Sequence, residues 1–359
     1  MSSHGRSQTL KGRGASLSPN NRYADKSREA FDDGWQDDEP LHPLTTTLTR
    51  DTSQTVITYN KSPDVPFDRS INPYRGCEHG CVYCFARPTH AWLDLSPGLD
   101  FETRLFYKPD APNLLRKELA RKRYHCAPIA LGINTDAYQP VEREQHLTRR
   151  IIQVLLESRH PFSIVTKSAL IERDIDLLQQ SAKQNIASVA ISITTMDKKL
   201  ARYMEPRAAS PRRRLEIISR LSSAGIPVAV LVAPVIPALT DKDLENILTL
   251  AREAGASSAG YVLLRLPYEL KDMFRNWLNH HEPLKAARIM NRLRDCHDGA
   301  DYQSEFGARM RGTGVFARLL QNRFQITANK LDFGNMPELD CSRFVPPRFD
   351  DQLALFSDT

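Results

Sequence analysis

NPYRGCEHGCVYCFAR, Asn72 to Arg87, is the stretch that decides how the rest of the chain is read. It sets Cys77, Cys81 and Cys84 at Cys-x3-Cys-x2-Cys spacing, while Cys126, Cys296 and Cys341 are scattered and read as packing or surface residues. A disulfide framework is not expected in a long chain without a secretory pattern, so three thiols this close ask for a metal. Structural zinc takes four donors, usually as two separated pairs. Only three are present here, with no fourth Cys or His at a regular offset. His79 and His90 are near enough to keep zinc open, although His79 lies between two of the cysteines, where a tight loop rarely allows a fourth bond. Three thiolates on an iron–sulfur cubane would leave one iron open for another molecule.

Outward from this stretch the pattern is regular. Thr55–Tyr59 is a β-branched strand candidate, and a further strand is expected just before the cysteines. Pro128–Asn134, Phe162–Thr166, Ser188–Thr194, Val228–Val235 and Gly260–Leu266 are apolar runs of strand length. Between them, 112–122, Gln145–Arg159, Ile171–Ala182, Pro211–Ala224 and Asp241–Ala254 carry helical spacing, the last two stopped by Gly225 and Gly255. Buried strands alternating with amphipathic helices imply parallel β/α units. About six are present, fewer than the eight of a closed TIM barrel. The expected fold is therefore α/β, a partial TIM-type (β/α)6 barrel, with a doubly wound sheet as the alternative. In both, ligands bind at the C-terminal ends of the strands.

The expected division of the chain is a disordered polar tail over 1–54, a core over 55–299, a helical extension over 300–335 and an extended tail over 336–359. The first segment holds few core-forming residues besides Phe31 and Trp35. No run of about 18 apolar residues exists, which argues against a membrane span. The N-terminus has no apolar core of a secretory signal, so a cytoplasmic location is expected. Forty-nine Lys and Arg against 43 Asp and Glu leave a formal charge of +6. That balance permits contact with nucleic acid without requiring it.

With Tyr83 before the third cysteine, the stretch reads Cys-x3-Cys-x-aromatic-Cys and resembles the signature of the radical S-adenosylmethionine family. More closely, Ser70 to Pro267 is similar to the subgroup related to spore photoproduct lyase, a group described as DNA-repair-photolyase-like. The matching pieces are Ile133–Asp136, Val165–Lys167, Ser192–Thr194, Met204–Pro206, Ser210–Pro211 with Arg214, and Val232–Pro237. The resemblance implies a [4Fe–4S] cluster on Cys77, Cys81 and Cys84, with S-adenosyl-L-methionine (AdoMet) chelated at the open iron. It implies reductive cleavage of AdoMet to a 5′-deoxyadenosyl radical that removes a hydrogen atom from a substrate. By the same resemblance Tyr83, Thr135, Lys167, Ser192 and Arg214 are AdoMet-side contacts. Plainer readings stand beside these: Lys167 as a surface lysine, Ser192 and Thr135 as ordinary strand-end hydroxyls, Arg214 as part of a solvated Arg run.

Two departures bear on the reaction. The lyase carries a cysteine hydrogen donor where this chain has Ile133, and a tyrosine after the third cluster cysteine where this chain has Phe85. The shared fold and radical initiation carry over; dimer repair by the lyase's own relay does not. Asp136, Tyr138 and Glu142 are expected to line the opening beside the cluster, with Tyr138 as a substitute relay or else part of a capping loop. The leading function is radical chemistry on nucleic acid, with an external electron donor. The alternatives are a radical enzyme acting on a peptide or small metabolite, and a non-catalytic metal-binding module that recruits repair factors.

Near the C-terminus, Gln352-Leu-Ala-Leu-Phe356 resembles the short peptide with which bacterial replication and repair proteins grip the DNA sliding clamp. Gln352 would supply a side-chain hydrogen bond, and Leu353, Leu355 and Phe356 the apolar contacts. Leu355→Ala combined with Phe356→Ala is expected to abolish retention of the clamp in a pull-down that wild type supports; equal retention by both proteins excludes the motif.

Overall fold

The computed structural model describes residues 12–23 and 45–348. Its strands are β1 (Thr47–Arg50), β2 (Ile57–Tyr59), β3 (Arg69–Ile71), β4 (Tyr74–Arg75), β5 (Arg104–Tyr107), β6 (Ile129–Leu131), β7 (Phe162–Thr166), β8 (Ala187–Ser192), β9 (Val228–Val235) and β10 (Ser258–Leu263). The main sheet has the order β10-β9-β8-β7-β6-β3-β2. From β3 to β10 every neighbouring pair is parallel, and β2 closes the edge antiparallel to β3. The six parallel strands therefore add one after another in a single direction. A doubly wound sheet reverses its strand order at a switch point, so that alternative is set aside. Right-handed crossovers in one direction put the helices on one face, which is the winding of a partial barrel.

The β-branched runs form the strands because both their faces are covered. Ile129, Leu131, Phe162, Ile164, Val189, Ile191, Val228 and Val230 are all buried. The helices pack an apolar stripe onto them: Leu147–Glu157 buries Ile151, Ile152, Val154 and Leu155, and Pro211–Ser223 buries Ile217, Ile218 and Leu221. Gly225 (φ +75°) and Gly255 (φ +101°) end two helices in the left-handed conformation that glycine adopts without strain. The last strand begins and ends earlier than its apolar run suggests. Its register breaks between Tyr261 and Leu263, and Leu264–Leu266 continue as a loop at the strand end.

A second, three-stranded sheet of order β1-β5-β4 brackets the cysteine loop, which runs between β4 and β5. The loop has little regular structure, and a buried arginine fixes it. Arg87 Nε donates to the Cys81 carbonyl at 2.9 Å, Nη1 to Pro97 O and Gly98 O, and Nη2 to Gly80 O and Glu102 Oε1 at 3.1 and 2.5 Å. All five guanidinium N–H groups are thus satisfied, and neither partner of the Arg87–Glu102 pair is exposed.

Residues 12–23 correct the expectation of a solvated tail over 1–54. Gly14 N and Ala15 N donate to the two Glu102 carboxylate oxygens at 3.0 and 2.8 Å. A Cβ on Gly14 would lie 1.7 Å from the Gly80 carbonyl oxygen, so only glycine lets the two backbones approach this closely. Further along, Ser16 Oγ bonds Asn276 and Arg22 bonds Glu269. This strap joins the cysteine loop, which follows β3, to the segment that follows β10, the first and last parallel strands. At the other end of the chain, the helix Gly314–Lys330 forms within the expected extension. Residues 336–348 carry no regular structure, and Phe344 packs on Tyr124 and His160 at 5.6 and 5.2 Å. Phe31, Trp35 and the Gln352–Phe356 peptide lie outside the described residues.

Glu102→Gln leaves the Arg87 charge buried without its partner. It is expected to cost about 3–5 kcal/mol in denaturant unfolding. Glu157→Gln, which breaks the exposed pair with Arg116, should cost less than about 1 kcal/mol.

Candidate active site

The C-terminal ends of β6, β7, β8 and β9 converge on one polar cluster beside the cysteine loop. Lys167, the residue after β7, donates from Nζ to Ser192 Oγ at 2.8 Å and to the Ala233 carbonyl at 3.2 Å, and lies 3.2 Å from Glu205. Burial, with Arg214 adding to it, lowers the Lys167 pKa to about 8. Glu205 gathers the group. Its carboxylate accepts from the Tyr83 hydroxyl, from Thr194 Oγ1 at 2.7 Å and from Arg214 Nη2. The Ala233 carbonyl, 2.9 Å from Thr194 Oγ1, is the alternative acceptor for that hydroxyl's single proton.

Local structure explains how Arg214 arrives there. Ser210 caps the helix Pro211–Ser223 by accepting from Arg213 N, and Pro211 takes the first helical position, where a missing N–H costs nothing. One turn in, Arg214 points back toward the sheet, donating to Ser192 O at 2.9 Å and Ala209 O at 2.8 Å. The solvated reading of this Arg run holds for exposed Arg212 but not for Arg214, which is fully buried.

On the opposite side, Asp136 links three elements. It accepts from Thr166 Oγ1 at 2.7 Å and Lys167 N at 2.8 Å, and sits 3.3 Å from His79 Nδ1. Burial alone would raise its pKa; the His79 interaction and the donated hydrogen bonds outweigh burial and hold it below the usual carboxylate range. Thr135 is buried one residue before it and donates to the Tyr74 carbonyl at 2.7 Å. Gln139 ties the loop to the cysteine segment, accepting from Glu78 N at 2.8 Å and donating to Gly76 O at 3.1 Å.

Tyr138 and Glu142 are not at the opening. Tyr138 is wholly buried and its hydroxyl donates to Asp174 at 3.1 Å, in the layer of Arg149 and Arg173. Glu142 accepts from the Tyr74 hydroxyl at 2.5 Å and from Leu147 N and Thr148 N. The expectation that Tyr138 lines the opening is corrected: Asp136 faces the site, and two residues on the chain has turned into the helical layer. The sequence reading gave no role to Glu205, Thr194 or Arg87, and weighed His79 only as a zinc donor. Glu205 left only the weak signal of an acid between Met204 and Pro206.

Cys77 and Cys81 are buried and Cys84 half-buried, all as free thiols. Burial pushes all three thiols up, most strongly Cys77, where Asp136, Cys81 and Cys84 add to it. Ligation requires thiolates, and a bound metal's positive charge supplies the compensation this site needs. The donors fit a cubane better than zinc. Among the described residues no three His, Cys, Asp or Glu side chains are disposed to hold a single ion, whereas a cubane takes each thiolate on its own iron. Both nearby histidines have other surroundings. His79 faces Asp136; His90 Nε2 bonds Arg104 O and its ring packs on Phe101 at 5.2 Å. Val82, Met204, Ile236 and Leu264 form an apolar wall with Cys81, a surrounding that excludes water.

Comparison with known proteins gives concordant findings. The model of the radical SAM superfamily matches residues 71–251. An uncharacterized protein of Mycobacterium tuberculosis is 38% identical over 248 residues, 68% of this chain and 72% of the relative. One of Methanocaldococcus jannaschii is 29% identical over 171 residues, 48% of this chain and 61% of its own length. Among solved structures, spore photoproduct lyase complexed with dinucleoside spore photoproduct superposes with a TM-score of 0.55 at 14% identity, covering 79% of each chain. At that identity the likeness is one of fold.

Cys77→Ala, Cys81→Ala and Cys84→Ala are each expected to lose the brown absorbance and most of the iron after anaerobic reconstitution. Tyr138→Phe should keep both and should cleave AdoMet as wild type does, at a stability cost of about 1 kcal/mol. Loss of cleavage in a folded Tyr138→Phe protein would return that tyrosine to the chemistry.

Proposed function

This chain belongs to the radical SAM superfamily of enzymes, and from that premise we propose that it cleaves AdoMet reductively to abstract a hydrogen atom from a nucleic-acid substrate. The superfamily's cofactors are a [4Fe–4S] cluster and AdoMet. When bound, they supply a one-electron cleavage of the sulfonium and a 5′-deoxyadenosyl radical. In this reading Cys77, Cys81 and Cys84 hold the cluster. The observation that carries it is the set of three free thiols, two buried and one half-buried, beside a buried cation with two hydrogen-bonding partners at the strand ends.

The protein's own residues have separable tasks. Lys167 presents a point charge, and Ser192 a hydroxyl, where a carboxylate would bind. Glu205 balances Lys167 and Arg214, so neither cation is buried alone. The Tyr83 ring stands 5.6 Å from Lys167 Nζ and its hydroxyl is fixed by Glu205, which orients the wall above the site. Thr135 and Asp136 close the side toward β6. An external donor must supply the electron. Six free cysteines suit a reducing cytoplasm.

Family membership sets aside the non-catalytic module. A nucleic-acid substrate is favoured over a peptide or metabolite by the basic balance of the chain and by the dinucleoside lesion held by a protein of the same fold. The route differs from the lyase's. Ile133 carries no transferable hydrogen, and Phe85, with no hydroxyl, lies under the Arg265 guanidinium at 4.3 Å.

Anaerobic turnover with deuterated DNA and RNA oligomers, carrying damaged or modified bases, is expected to move deuterium into 5′-deoxyadenosine. Label arriving only from a deuterated peptide or metabolite would contradict the nucleic-acid reading while leaving the radical chemistry intact.

A further inference from the structure

Three segments that are distant in sequence meet where the strap crosses between the loops after β3 and β10, and each brings an exposed aromatic ring. Trp92 lies in the last turn of the 3-10 helix Arg87–Leu93 that follows the third cysteine, Tyr268 follows β10, and Tyr23 lies on the strap. They are 69%, 65% and 59% exposed. The rings are joined and fixed. Trp92 Nε1 donates to the Tyr23 hydroxyl at 3.2 Å. The Arg22 guanidinium lies 4.9 Å from the Tyr23 ring and 4.3 Å from the Tyr268 ring. Arg22 is itself fixed by two bonds to Glu269, at 2.8 and 2.7 Å, and one to Pro88 O. Contiguous exposed rings of this size mark an interaction surface, and rings already fixed lose little freedom on binding.

The neighbouring charges say what kind of partner fits. Glu269 is matched by Arg22, and Asp94 accepts from Asn21 at 2.9 Å. Arg265, two residues beyond β10, is different. Half-buried, its guanidinium rests on Phe85, directly after the third cysteine. Among the described residues it has no hydrogen bond and no carboxylate within ion-pair distance; Asp64, which attracts it from farther off, is already paired with Arg309. A half-buried cation without an anion of its own matches a phosphate that arrives with the partner. Aromatic rings interleaved with guanidiniums are the usual platform for unpaired bases, because every base has a π-face.

We propose that an unpaired nucleic-acid strand docks along this seam, stacking bases on Trp92, Tyr23 and Tyr268 and placing a backbone phosphate at Arg265, so that the next nucleotide reaches the mouth beside the cysteine loop. The inference rests on the nucleic-acid reading given above and adds the surface that delivers the substrate.

The test is fluorescence anisotropy with the cluster-loaded full chain and labelled DNA and RNA oligonucleotides of about 12 nucleotides, single-stranded and duplex, across a salt series. Wild type is expected to bind single strands more tightly than duplex. Trp92→Ala with Tyr268→Ala should weaken binding by about tenfold or more. Trp92→Phe with Tyr268→Phe, which keeps the rings, should retain it. Arg265→Gln should lower the salt slope by about 1. Thermal midpoint and cluster absorbance report whether each variant is folded. A folded double-alanine variant that binds as wild type does would overturn the platform while leaving the nucleic-acid reading standing. A wild type that cleaves AdoMet but binds neither DNA nor RNA would overturn both.

Discussion

The five hydrogen bonds of Arg87 are the constraint on which the site depends. A loop that offers three thiols to a metal cannot also be a helix or a strand, because the thiols must face one another. Its backbone groups then need partners from elsewhere. Arg87 supplies them for Gly80, Cys81, Pro97 and Gly98 in one planar fork, and Glu102 supplies the countercharge. Glu102 in turn receives the strap through Gly14 and Ala15. A single buried ion pair thereby couples the cysteine loop, the small sheet and a segment 87 and 88 residues upstream of Glu102.

A second buried charge network repeats the logic on the other side of the cysteines. Lys167 and Arg214 share Glu205, with Tyr83 and Thr194 completing the carboxylate's hydrogen bonds. The arrangement keeps a cation at the strand ends without leaving it uncompensated. The wall of Val82, Met204, Ile236 and Leu264 adds the dry surroundings that radical chemistry needs. The seam joining the first and last parallel strands carries the exposed rings, and Arg265 follows the last of those strands. On the proposed reading, cofactor handling and substrate approach fall to separate groups of residues.

Much of the fold was legible because its signals are local. The runs around Phe162–Thr166 and Val228–Val235 coincide with β7 and β9, since a strand buried on both faces announces itself by uninterrupted β-branched residues. The cysteine spacing was legible for the same reason. The strap over residues 12–23 was not, because its fixings are backbone N–H groups meeting a carboxylate far along the chain. Glu205 escaped notice since nothing in a lone acid shows that three elements will converge on it. Arg214 could have been separated from Arg212 by helical phase, counting from the Ser210 cap. Asn134–Glu142 looks like one surface in the sequence, but the chain turns between Asp136 and Tyr138 and sends the two side chains to different layers.

The central claim is that three thiolates leave one iron of a cubane open to AdoMet. Electron paramagnetic resonance of the anaerobically reconstituted, reduced protein, recorded before and after adding AdoMet, tests it most directly. The account predicts about four iron and four sulfide per chain and a cluster signal that changes when AdoMet binds. A single tetrahedral zinc with a histidine donor, or a cluster signal indifferent to AdoMet, would contradict it.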